Sequence, residues 1–214
     1  MKSRLIIAIC SITLLACSCI MDIPIRYKNE PVALSYAFSE VIKCKEVQVQ
    51  DGKAIICLAP DEEDDSFKVF KKGDDIYNEL SLKHRDSFTG KLMDGAPGPL
   101  GNCFAKDFTS IDIVCDRDFD ASHPAGSSLA DIVNYEVFSI YPWIRDGYVS
   151  NKMAYQITKR LSTVKPDDMT MISIVNFIIL RLAERPQEIG DYMFRFTLVT
   201  DDGLTYEVNQ DVTF

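Results

Sequence analysis

The stretch from Tyr192 to Phe214 leaves a chain like this the least freedom. Phe194, Phe196 and Leu198 recur at every second position, and Leu204, Tyr206 and Val208 do the same. A period of two is the strand period, which gathers one set of side chains on one face of a sheet. Two such strands share an apolar face only if paired positions sum to an even number. The three-residue turn Asp201-Asp202-Gly203 meets that condition, setting Leu198 against Tyr206 and Phe196 against Val208. A two-residue Asp202-Gly203 turn would set Leu198 against Glu207 and split the faces. The pattern therefore selects a type I turn with Gly203 in a bulge. Val212 and Phe214 keep the same phase, so the chain is expected to end as a strand pinned in the core.

The rest of the chain repeats this theme in shorter pieces. Val41 to Leu58 reads as a hairpin around Gln50-Asp51-Gly52, with Gly52 supplying the positive φ. Neither turn register makes Cys44 and Cys57 direct partners, which argues against a disulfide there unless a bulge intervenes. Strands are expected at Phe67–Phe70, Ile76–Leu82, Phe108–Cys115, Tyr135–Tyr141 and Val175–Ala183, and a strand or mixed segment over 151–165. Residues 33–40 fit either a strand or a loop edge. Residues 86–101 carry four glycines and two prolines and read as a loop. Those prolines, and the lack of a following helix, break both nucleotide-binding glycine patterns. The acidic run Asp61 to Asp65 reads as a solvated turn, with a cation site as its alternative. Short strands with frequent turn signals indicate a mainly all-β chain. The expected architecture is an immunoglobulin-like β-sandwich over residues 32–214, with a short helix, Leu129 to Tyr135, after an Asp-rich loop.

Two features give the chain an address. Lys2 and Arg4 precede an apolar run, Leu5 to Leu15, that is too short to span a bilayer as a helix, which takes about 20 residues. Leu14-Leu15-Ala16-Cys17 then resembles the lipobox of bacterial lipoproteins. That resemblance implies a signal peptide over 1–16, lipid on Cys17, and a tether over 17–31; Ala16-Cys17-Ser18-Cys19 offers a second register ending at Cys19. An ordinary secretory signal is the alternative. Ser18 after the cysteine favours the outer membrane, facing either the periplasm or the cell surface. The passage Ile111 to Asp131, with the hairpin Phe194–Gly203–Phe214, resembles a lipoprotein family of unknown function in Bacteroidota. The resemblance implies the anchor and the compartment and implies no activity.

Charge excludes one class of partner. The chain carries a net −9, and losing Lys2 and Arg4 with the leader would take it to −11. Without a Lys/Arg stripe to offset it, such a surface is repelled by phosphate backbones, so nucleic acid is excluded. Beyond Cys10 and Cys17, five cysteines remain. The count is odd, and their spacing matches no paired Cys-x-x-Cys zinc pattern, even with His84 and His123 to assist.

Candidate sites are sparse. Asp116, Asp118 and Asp120 follow a strand at alternating positions and could converge on Ca²⁺, the one cofactor the pattern offers. The EF-hand pattern fails, because Ala121 stands where glycine belongs and Ser127 where the bidentate Glu belongs. The alternative is a loop whose Asp side chains cap turns. His123 beside Ser122 or Ser127 lacks a Gly-x-Ser-x-Gly elbow, and the carboxylates Asp118 and Asp131 could serve glycoside hydrolysis only at a fixed separation. No catalytic residue is assigned. Tyr141, Trp143 and Tyr148 could stack a sugar or form a corner of the core. Three functional readings follow: a non-catalytic envelope module binding a protein or glycan partner, a fimbrial-type subunit, and a lipid-anchored metal- or carboxylate-dependent hydrolase.

Overall fold

The computed structural model describes residues 25–86, 88–93, 101–148 and 155–214, with 25–30 and 88–93 described as backbone alone. The expected leader, Cys17 and Cys19 lie outside the described residues. The chain runs β1 (Ile25–Glu30), β2 (Ser35–Phe38), β3 (Ile42–Gln50), β4 (Lys53–Pro60), β5 (Lys68–Lys71), α1 (Asp75–Lys83), β6 (Phe88–Met93) and β7 (Asn102–Phe104). It continues through β8 (Phe108–Cys115), β9 (Val133–Ser139), α2 (Tyr141–Arg145), β10 (Tyr155–Arg160), β11 (Ile178–Leu182), β12 (Asp191–Thr200) and β13 (Thr205–Thr213). The described chain is mainly β, with two α-helices.

Five strands form an antiparallel sheet in the order β10-β9-β11-β4-β3, and three form the sheet β13-β12-β8. A third sheet, β5-β2-β7, combines an antiparallel and a parallel pair, and β1 pairs with β6. The β12–β13 register sets Leu198 against Tyr206 and Phe196 against Val208, as the alternation requires. Gly203 adopts φ +87°, and the Thr200 N–H donates to the Leu204 carbonyl at 2.9 Å, closing the three-residue turn. Phe214 packs its ring on Phe119, Tyr192 and Phe194, so the chain end is held in the core. In β8 the inward residues are Ile111, Ile113 and Cys115. These side chains join Ile56, Leu58, Val133, Tyr135, Ile178 and Leu180 of the five-stranded sheet in one apolar cluster.

The first hairpin uses a two-residue turn. Gln50 faces Lys53, and Asp51 and Gly52 both have positive φ (+53° and +71°), the signature of a type I′ turn. A register shift between Cys44 and Glu46 sets Cys44 against Leu58, and both Cys44 and Cys57 are free thiols. Strand β2 explains why residues 33–40 show no clean period. Ala37 enters the main cluster, whereas Tyr36 enters a second one with Tyr77, Cys103 and Met171. A strand buried on both faces does not alternate.

Four expectations are corrected. Ile76–Leu82 is helix α1 rather than a strand. Its buried face is Tyr77, Ser81 and then His84, a helical spacing hidden because two of the three are polar. Leu129–Tyr135 is not a helix. Ser128 caps only a turn, with Ile132 N–H donating to Leu129 O, and Val133, Tyr135 and Val137 then alternate into the core as β9. The short helix near this loop is instead α2, with Pro142 in its first turn. Within the stretch expected as tether, residues 25–30 form a strand, and its partner β6 lies within the stretch expected as loop.

The register is testable by unfolding in urea. Phe196 is fully buried, so Phe196→Ala should cost about 3–5 kcal/mol. A Cβ on Gly203 would meet nothing within 4 Å, so Gly203→Ala should cost only the left-handed backbone penalty, about 1–2 kcal/mol. A neutral Gly203→Ala would contradict the bulged turn.

Candidate binding site beside helix α1

The aspartates singled out by the sequence are occupied within their own loop. Asp116 accepts the N–H of Met193 at 2.9 Å, and Asp118 accepts that of Ala125 at 2.8 Å. Asp120 accepts the N–H groups of Ser122 and His123 and pairs with His123 Nδ1 at 2.8 Å. The three are not brought together. Among the described residues no group of three or more His, Cys, Asp or Glu side chains is placed to hold a metal ion. Asp131 reaches the other face of His123, with Nε2 at 3.1 Å. Both ring nitrogens thus face carboxylates, which leaves neither for Ser122 or Ser127. Burial works against the charge on His123, but Asp120 and Asp131 outweigh it and raise its pKa above 6.5.

The aromatic trio forms a corner. Trp143 is buried and meets the Tyr148 ring edge-on at 5.0 Å, while Tyr141 and Tyr148 pack against the second apolar cluster. Trp143 therefore presents no open face for a sugar to stack on.

The chemistry that the sequence did not single out gathers at the end of α1. The helix closes on a Schellman motif: Arg85 N–H donates to Leu82 O, and Asp86 N–H to Ser81 O. Arg85 takes φ +58°, the left-handed position where glycine is usual. That turn drives Asp86 inward, where its carboxylate accepts the N–H groups of Val32 at 2.7 Å and Ala33 at 2.9 Å. Burial raises the Asp86 pKa despite those two donors.

His84 is buried, stacks on the Tyr36 ring with centroids 5.7 Å apart and planes inclined by 26°, and reaches Asp107 through Nε2 at 2.8 Å. Its Nδ1 has no hydrogen-bond partner among the described residues, an arrangement that costs about 1–3 kcal/mol. Lys83 bridges Asp107 and Asp201, each at 2.7 Å. Burial disfavours the charge on Lys83, yet the two carboxylates prevail and raise its pKa. Burial likewise pushes Asp107 up, and His84 and Lys83 more than reverse it, leaving its pKa lowered.

A groove of about 580 Å³ opens between α1 and the face of β2 and β5. Phe38, Phe70, Ile76 and Leu80 supply apolar surface, and Lys68, Lys83 and Lys106 supply charge, with Glu79 alongside. Lys106 pairs with Asp202 and lies 5.6 Å from the Phe38 ring centre, a cation–π arrangement. The hydrogen bond from Lys106 holds the Asp202 pKa at about 2. Apolar walls with a few placed polar groups are the usual composition of a ligand site. No family model matches the chain, and no curated protein or solved structure shows significant similarity to it. The sequence signal for this site was the run Lys83-His84-Arg85-Asp86 after a helix opening on Asp74-Asp75, read only once the segment is known to be helical.

Because the folded pKa of His123 is raised, its contribution to stability is fully present below about 6.5 and is lost as pH rises through the folded value. An NMR titration should place the His123 pKa above 6.5, and Asp120→Asn should bring it down. A wild-type value at or below 6.5 would contradict the paired geometry.

Proposed function

We propose that this chain is a non-catalytic lipoprotein of the cell envelope, a binding or assembly module held at the outer membrane by lipid on Cys17. The observation that carries the binding role is the groove beside α1, where apolar walls and lysine ammonium groups meet in an otherwise acidic molecule. Its ligand class is an apolar group bearing negative charge, presented by an envelope protein or glycan partner. The leader pattern ending in Leu14-Leu15-Ala16-Cys17 supports the anchor, and the likeness to lipoproteins of Bacteroidota belongs to the same reading. In this reading the fold is an immunoglobulin-like β-sandwich, its support being the single apolar cluster shared by the five- and three-stranded sheets.

A fimbrial-type subunit is the second reading. Its support is the placement of β13 at the edge of its sheet, where an exchangeable strand would lie. The hydrolase reading has less to draw on, since both nitrogens of His123 and all three loop aspartates have partners within the fold.

Anilinonaphthalene sulfonate, an apolar anion, probes the groove directly. It should bind the native protein saturably at one site, and the double variant Lys68→Glu/Ile76→Glu should weaken it about tenfold, which corresponds to about 1.4 kcal/mol. Both positions are exposed, so the variant should fold. Binding without saturation, or undiminished in the variant, would contradict the groove. A mature N-terminus without lipid on Cys17 or Cys19, read by mass spectrometry, would contradict the anchor.

A further inference from the structure

A second pocket, of about 340 Å³, lies at the C-terminal end of α1 and is separate from the groove except for Lys83. It is lined by Lys83, His84, Arg85, Tyr141, Ile144 and Arg145. Three cations line it and no carboxylate does, in a chain with 32 acidic and 23 basic residues. We propose that this pocket binds a phosphate monoester group.

Four observations carry the assignment. Lys83 and Arg145 are braced by carboxylates outside the lining. Asp107 and Asp201 hold the ammonium, and Asp146 and Asp167 hold the guanidinium through Nε and Nη1. A guanidinium has five N–H donors, so Arg145 keeps donors in reserve. Arg85 makes no ion pair among the described residues, and it occupies a left-handed backbone position, φ +58°, that glycine would fill without strain. Arginine stands there at a backbone cost that glycine would not carry. His84 lines the pocket, and its buried Nδ1 has no hydrogen-bond partner among the described residues. Finally, three carbonyls at the helix end, those of Leu80, Ser81 and Leu82, already receive the N–H groups of His84, Asp86 and Arg85 and so do not compete for the cations. Two guanidinium groups and an ammonium suit a tetrahedral dianion better than a single carboxylate, since planar forks bind its oxygens in pairs. The volume exceeds that of a bare anion and leaves room for the group that carries it. Such a phosphate could sit on a soluble molecule or on a lipid headgroup.

Calorimetry on the mature full-length protein in phosphate-free buffer separates the sources. One arm titrates inorganic phosphate; the other measures sedimentation with phosphatidylcholine vesicles, with and without phosphatidic acid. The decisive variant is Arg85→Gly, which removes a charge and relieves the left-handed strain, so its melting temperature should hold or rise. Phosphate affinity lowered about tenfold or more in Arg85→Gly would support a site open to soluble phosphate. Binding only to vesicles containing phosphatidic acid, lost in Arg85→Gly, would support the site and place its phosphate on a lipid. No binding in either arm, or binding unchanged in both Arg85→Gly and Arg145→Ala, would overturn the proposal.

Discussion

The carboxylate of Asp107 is the point on which the arrangement around α1 depends. One oxygen receives His84 and Lys83, the other receives the N–H of Met171 at 3.1 Å, and the Asp107 carbonyl receives the N–H of Asp201 at 2.9 Å. A single residue between β7 and β8 thus joins the end of α1, the segment before β11 and the β12–β13 turn. Asp107 is buried, but the Lys83 side chain is 40 % exposed, so water screens the ion pair, and breaking it should cost less than the figure for a fully buried pair, about 3–5 kcal/mol. The groove and the cationic pocket both take Lys83 as a wall, so both inherit their shape from this contact.

The Asp-rich loop shows how similar chemistry serves structure instead. Its aspartates lie at alternating positions, and each meets a backbone N–H or the ring of His123. Carboxylates that accept N–H bonds fix loop geometry without converging, whereas a calcium site needs six to eight oxygens aimed at one point. The spacing along the chain is the same in both cases. Only the direction of each side chain differs, and a sequence does not carry it.

Legibility followed burial. Strands with one buried face, β8, β12 and β13, could be read to within a residue at each end, including the choice between two turns at Gly203. Where both faces are buried, as in β2, alternation vanishes. Helix α1 was hidden for a different reason: its inward face is Tyr77, Ser81 and His84, and its exposed residues include Leu82 at 78 % exposure, so apolar residues mark the wrong side. The site beside α1 is equally hidden in the sequence, because its walls come from β2, β5, α1 and residues 105–106, joined only by the fold. For Trp143 the sequence leaves open an exposed ring or a corner of the core, and only its burial separates the two.

The claim that Asp107 holds α1 in place is tested most directly by hydrogen exchange on Asp107→Asn. Losing the anion opposite His84 and Lys83 should free the helix while leaving the main core closed. The amides over 75–86 should exchange faster in the variant, with unchanged protection in β12 and β13. Unchanged protection of α1 in the variant would contradict it.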